Sequence, residues 1–252
     1  MQIVGYETLA GEGPAALRIA DDGRVTRDPL EPGDELRYAL GERHCAGEER
    51  DGVHLACGRE SAPYCTEHTS RWPCARCTGN CAMPIEACHE EHAVYLAAFA
   101  PSTFKVGVTR TWRLEERLRE QGADRAAHLR TAKNGKVARQ IEADLAERFP
   151  DRVRTPRKIE ALPERVDADE WERVLAEFDP LDTYSFSYGF DLASRPVPET
   201  LASGTVRGTQ GRILLIDRAG TTYAVDFRDL VGHEVSPESA SRRLQSSFGT
   251  FQ

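Results

Sequence analysis

The sequence has no apolar run long enough to cross a bilayer as a helix. The longest, Ala93 to Ala100, falls far short of the roughly 20 residues a spanning helix needs. The first residues lack a basic stretch followed by an apolar one, so no secretory leader is expected. The expectation is a soluble, cytoplasmic protein without a membrane partner. Lysine is scarce, with 4 lysines against 29 arginines, the usage of a GC-rich genome or a salt-adapted cytoplasm, and it says nothing about fold. Cysteine is missing from 208 of the 252 residues, because Cys45, Cys57, Cys65, Cys74, Cys77, Cys81 and Cys88 all fall within 44 positions. In a chain with no sign of export, that confinement argues against a disulfide framework.

Clustered thiols and imidazoles point instead to metal. In Cys65-x2-His68-x5-Cys74-x2-Cys77, two residues between ligands let one tight turn aim both at one ion, and two such pairs close a tetrahedron. Cys65, His68, Cys74 and Cys77 are therefore the expected first zinc site. Cys45, Cys57, Cys81 and Cys88 remain for a second, with His44, His54, His89 and His92 near enough in sequence to replace any one of them. The alternative for Cys45 and Cys88 is plain buried thiols. One or two structural zinc ions are expected, holding together a proline- and glycine-bearing segment with little apolar surface to bury. Catalytic zinc is not expected, because four protein ligands leave no open position.

Charge is unevenly spread. The net charge is −8, yet Lys105 to Lys158 carries 15 basic and 8 acidic residues, so this block is +7 and the remainder −15. A basic block inside an acidic protein marks a surface for polyanions, nucleic acid above all. Arg110, Arg113, Lys133, Lys136 and Arg139 are the expected phosphate contacts. The plainer reading is a solvated helical face rich in i,i+4 ion pairs.

Periodicity predicts an α+β fold. Residues 1–44 read as strands, with Asp22-Gly23 as a hairpin turn and Glu35 to Leu40 as a further strand. Residues 45–92 form the zinc segment. In 93–158, two short apolar runs, His92 to Phe99 and Phe104 to Thr109, make a hairpin, followed by helices carrying Leu114 and Leu118, then Val137, Ile141, Leu145 and Phe149. Residues 159–200 are acidic and helical around Trp171, Leu175 and Phe178. Residues 201–235 return to strands, with Arg218-Ala219-Gly220-Thr221 as a turn, and are expected to pair with 1–44 in a small barrel-like part. Residues 236–252 form a Ser-rich tail expected to be mobile.

The order of features from Ala93 to Phe149 resembles the GIY-YIG nuclease superfamily: a strand with tyrosine, a turn, a strand ending in glycine, a helix with arginine, a helix with glutamate. Val94-Tyr95-Leu96 stands at the first triplet, Lys105-Val106-Gly107 at the second, Arg117 at the helical arginine and Glu142 at the metal-binding glutamate. The resemblance implies a phosphodiester-cleaving site with Tyr95, Lys105, Arg117 and Glu142 as catalytic candidates, Glu142 holding magnesium or manganese and Arg117 the scissile phosphate. Lys105 departs from the family's second tyrosine, and a late asparagine is not evident. The wider pattern, zinc cysteines, then HAVYLAAF, KVGVTR, EQGA and late GTQGRILLI, resembles the family named domain of unknown function 2797.

The chain ends Gln245-Ser-Ser-Phe248-Gly-Thr-Phe251-Gln252, which resembles the motif that tethers proteins to the sliding clamp PCNA. Gln245 would enter a polar pocket, while Phe248 and Phe251 point from one 3₁₀ turn into an apolar one. The features together suggest a zinc-stabilised nucleic-acid-binding protein acting in replication or repair, with DNA favoured over RNA. It would be either a metal-dependent nuclease delivered by the clamp or a non-catalytic zinc adaptor for RNA or a protein.

Overall fold

The computed structural model describes residues 1–8, 13–69 and 86–237. In its first part lie β1 (Gln2–Glu7), β2 (Ala16–Asp21), β3 (Arg24–Pro29), β4 (Glu35–Arg43), β5 (Glu48–Arg50) and β6 (Val53–Leu55). A central αβ unit follows: β7 (His92–Phe99), β8 (Thr103–Arg110), α1 (Leu114–Gln121), β9 (Arg125–Ala132), α2 (Gly135–Ala146), α3 (Thr155–Ala161), α4 (Ala168–Leu175) and β10 (Asp182–Ser185). The last part has β11 (Val197–Pro198), β12 (Ala202–Gln210), β13 (Ile213–Arg218), β14 (Thr221–Asp226), α5 (Phe227–Leu230) and β15 (His233–Pro237). No helix among the described residues is long and apolar enough to cross a membrane.

The two chain ends share a nine-stranded sheet ordered β11-β14-β13-β12-β4-β15-β1-β2-β3. Turn chemistry sets its hairpins. Asp22 (φ 46°) and Gly23 (φ 78°) both sit in the left-handed region that matches the twist of β2 and β3, and Ala219 and Gly220 do the same between β13 and β14. Ile3, Leu17, Leu36, Val206, Ile216, Val225, Phe227 and Val235 belong to one buried core, so strands from both halves of the sheet close on the same interior. The ladder of backbone pairs is nevertheless open among the described residues, with β3 and β11 at its edges, rather than a closed barrel. Ser236 and Pro237 continue β15 against Ala39 and Tyr38, so the sheet runs past the expected end at 235.

The αβ unit is a four-stranded antiparallel sheet ordered β10-β9-β7-β8. Its central strand β7 is buried on both faces, which is why it reads as an unbroken apolar run rather than an alternation. Ala93, Tyr95, Ala97 and Phe99 face Leu114 and Leu118 of α1. Val94, Leu96 and Ala98 face the other way, toward Ala138, Val137, Ile141 and Leu145 of α2 and Trp171 of α4. The acidic stretch 159–200, expected to be helical, also supplies the edge strand β10, paired to β9 from Asp182↔His128 to Ser185↔Arg125.

The two sheets dock at a backbone-to-backbone contact. Gly211, between β12 and β13, lies against the end of α1, where a Cβ would stand 2.5 Å from Gly122 N and 2.7 Å from Gln121 C. Both glycines hold positive φ, 54° and 70°, so neither place accepts a side chain without strain. Gln210 Nε2 donates to Gly122 O (3.0 Å) and Asp124 Oδ1 (3.1 Å), and Arg212 donates to Thr155 Oγ1 (2.6 Å). These contacts fix the cleft described below.

Candidate functional site

Cys45, Cys57, Cys65 and His68 bring one ligand atom each to within 4.8 Å of one another. Tetrahedral zinc at about 2.3 Å from each sulfur would set neighbouring sulfurs about 3.8 Å apart, so the cluster fits one zinc ion. His68 Nδ1 lies 3.3 Å from Cys45 Sγ and 3.4 Å from Cys65 Sγ. The Cys45 sulfur accepts amide N–H groups from Gly47 (3.4 Å) and Cys65 (3.2 Å), the donors a metal-bound thiolate requires. Burial pushes the Cys45 thiol up. At Cys65 burial also pushes upward, but the amides of His68 and Glu67 prevail and hold the thiol down at about 6.

Among the described residues, this grouping takes Cys65 and His68 from one expected set and Cys45 and Cys57 from the other. The reason is local. β5 and β6 form a hairpin, Glu48↔Leu55 to Arg50↔Val53, which folds the chain back so that Cys45 before it and Cys57 after it meet at its base. β5 is Glu-Glu-Arg, with no apolar alternation to announce a strand. Cys74, Cys77 and Cys81 lie outside the described residues. Cys88 is elsewhere, beside His92: a Cβ on Gly135 would stand 3.2 Å from Cys88 Sγ and 3.1 Å from His92 Nε2.

In the αβ unit, Tyr95, Lys105, Arg117 and Glu142 converge. Tyr95 is 2% exposed, and its hydroxyl accepts from Gln121 Nε2 at 2.6 Å. Gly107 lies directly opposite Tyr95 in the ladder and leaves the space that the phenol ring fills. Lys105 pairs with Ala97 and so points to the same face as Tyr95. Burial pushes the Tyr95 phenol up and Glu142 adds to this, against the pull of Arg117 and Gln121, so the hydroxyl keeps its proton. Burial, then the neighbouring Arg117, pulls Lys105 down to about 8. Arg117 is ion-paired to Glu120 (2.8 Å), and Glu142, its side chain 12% exposed, to Arg139 (2.6 Å).

The remaining basic candidates lie at one end of this sheet. His92 of β7 pairs with Arg110 of β8 on one side and Ala132 of β9 on the other, which sets Arg110 and Lys133 at the same edge. Between Arg110 and Arg113 stands Trp112, 66% exposed, with the Arg110 guanidinium 4.5 Å and that of Arg113 5.9 Å from its ring centre. Lys133 and Lys136 are exposed without a carboxylate ion pair among the described residues, whereas Arg110 pairs with Glu90 and Arg113 with Glu116 and Glu120. Trp112 escaped the sequence reading. The signal that would have found it is an aromatic between two arginines in Arg110-Thr-Trp112-Arg113.

A cleft of about 1090 Å³ runs between the two sheets and past the cysteine cluster, lined by Tyr6, Tyr64, His68, Arg117, Lys158 and Arg212 among others. Gln245, Phe248 and Phe251 lie outside the described residues. The model of the family described as "Protein of unknown function (DUF2797)" matches residues 35–235, and the chain belongs to that family. No curated protein and no solved structure matches it.

Proposed function

We propose that this DUF2797 chain is a zinc-stabilised nucleic-acid-binding protein whose αβ core receives a phosphodiester at Tyr95 and Arg117. The observation that carries this reading is the convergence of Tyr95, Lys105 and Arg117 on one face of the sheet, with Lys105 and Arg117 inside the basic block. The GIY-YIG resemblance assigns its arginine to the scissile phosphate and its tyrosine to activating water beside it. A protonated Tyr95 hydroxyl that already accepts from Gln121 has its own hydrogen to offer a phosphate oxygen. Trp112 between two arginines supplies a surface on which an unpaired base stacks. Zinc at Cys45, Cys57, Cys65 and His68 is structural in this reading, as four protein ligands close the tetrahedron. DNA is favoured over RNA because the tail residues Gln245, Phe248 and Phe251 fit recruitment by the sliding clamp.

Salt titration tests the binding reading. Affinity for an oligonucleotide should fall steeply as salt rises, because each neutralised phosphate releases counterions. A variant with Arg110, Trp112 and Arg113 all changed to Ala should bind roughly tenfold or more weakly and show a shallower salt slope. Absence of binding at low salt would leave a zinc adaptor for a protein partner.

A second reading, hydrolysis, is favoured by the presence of Glu142 in the same cluster. Glu142 is the residue that would hold a magnesium or manganese ion, but its carboxylate is held by Arg139, and Lys105 and Arg117 add positive charge nearby. That environment fits a divalent cation poorly. With either metal, the expected outcome is binding without strand cleavage. Cleavage that Glu142→Gln abolishes while sparing affinity would establish the nuclease reading instead.

A further inference from the structure

Four cations meet where the cleft runs between the two sheets. Arg117 comes from α1, Lys158 from α3 and Arg212 from the turn just before β13, and all three line the cleft. Lys105 of β8 lies behind them, close enough for its charge to act on Lys158. Asp124 acts on Lys158, and Glu142 and Asp151 on Lys105, but among the described residues only two of the four cations are ion-paired. Glu120 pairs with Arg117 and Asp226 with Arg212, while Lys105 and Lys158 have no carboxylate ion pair among the described residues. Lys158 is held by softer partners: its Nζ donates to Gln121 O (2.6 Å) at the C-terminus of α1 and sits 4.2 Å from the centre of the Phe99 ring. Neutral donors surround the same point. Gln121 and Thr155 line the cleft beside Lys158, and Arg212 is steered toward Thr155 by its 2.6 Å bond.

Such a cluster is unfavourable by itself. Burial, then Lys105, Arg212 and Arg117, pull Lys158 down to about 7, so the folded chain tolerates this ammonium only at a cost. An anion in the cleft would relieve that repulsion. The cleft is open enough to admit one and reaches Arg117 and Gln121, whose amide donates to the buried Tyr95 hydroxyl.

We propose that Lys158, Arg117 and Arg212 form a phosphate-binding site in the cleft between the two sheets, and that its ligand is a backbone phosphate of a nucleic-acid strand. The inference rests on the nucleic-acid reading above, and it adds that the large sheet, through Arg212, contributes directly to the site.

The test uses the full zinc-loaded chain, with inorganic phosphate and a fluorescent single-stranded oligonucleotide as separate probes. Phosphate should raise the melting temperature of the wild-type chain. Lys158→Met, which keeps the contact with Phe99 but removes the charge, should melt higher than wild type without phosphate. It should also lose the phosphate-dependent rise and bind the oligonucleotide about tenfold more weakly. Arg212→Gln should likewise lose the phosphate response, which keeps the site testable should Lys158→Met fail to fold. Arg157→Gln, on the same helix but turned to solvent with Glu160, should change neither measurement. If Lys158→Met and Arg212→Gln both respond to phosphate and bind the oligonucleotide as wild type does, the site is refuted while the nucleic-acid reading stands. If phosphate acts through Lys158 but the oligonucleotide does not bind at low salt, the nucleic-acid ligand is refuted and the site takes free phosphate compounds.

Discussion

Replacing Cys65 with serine is expected to release a zinc ion and unfold the segment around residues 45–69. Cys45, Cys57, Cys65 and His68 are drawn together from three separate stretches of a loop-rich chain, and in the described part of that segment β5 and β6 are the only strands. Two strands of three residues bury too little apolar surface to hold it unaided. Zinc binding would supply the difference, with about 10 kcal/mol of metal-binding free energy appearing as folding free energy in sites of this class. Elemental analysis should find at least one zinc per wild-type chain, and Cys65→Ser should lower that count by one. Cys74→Ser should keep this particular ion, which separates the observed grouping from the one that spacing suggests. A metal-free chain that remains fully folded would refute the site.

Gly107→Ala should damage the αβ core more than any surface change. A Cβ there would stand 2.9 Å from Tyr95 Cε2 and closer still to the hydroxyl. Tyr95 is buried between Ala97, Leu118 and the neighbouring strand, so the ring has nowhere to retreat. The expected cost is about 3 kcal/mol, the upper end for overpacking a filled interior. Chemical denaturation would measure it. The same variant should weaken oligonucleotide binding in whatever fraction stays folded, because it displaces the hydroxyl that Gln121 holds. Stability equal to wild type would mean that the β7–β8 ladder can slip to make room, and would count against Tyr95 as a fixed contact.

The two predictions probe features that differ in how openly the sequence carries them. Gly107 and Tyr95 lie 12 positions apart, on strands joined by a short turn, so their meeting follows from hairpin register. Cys45 and Cys65 meet only after the chain has reversed through β5 and β6, and nothing in Glu48-Glu49-Arg50 signals that reversal. Strand β9 was hidden for a related reason. Arg125-Ala-Ala-His-Leu-Arg-Thr-Ala132 is poor in the β-branched and aromatic residues that mark strands, and it extends because β7 and β10 bond to both its edges. Tertiary pairing there overrides local preference.

By itself the sequence determined what depends on near neighbours in the chain. The Asp22-Gly23 and Ala219-Gly220 turns, the apolar strand β7, the Leu114/Leu118 face of α1 and the thiol-rich segment were legible because their physics acts over a few residues. So was the family, read from short runs such as HAVYLAAF and KVGVTR in this chain. Tertiary structure alone decided that Cys45, Cys57, Cys65 and His68 come together, that the sheet shared by residues 2–43 and 197–237 stays open among the described residues, and that Arg117, Lys158 and Arg212 face one cleft. Those depend on distances between residues 20 to 230 positions apart, set by sheet pairing and by the Gly122–Gly211 contact. One-dimensional spacing does not record such distances, because each of these residues is locally ordinary and acquires its role only from what folds against it.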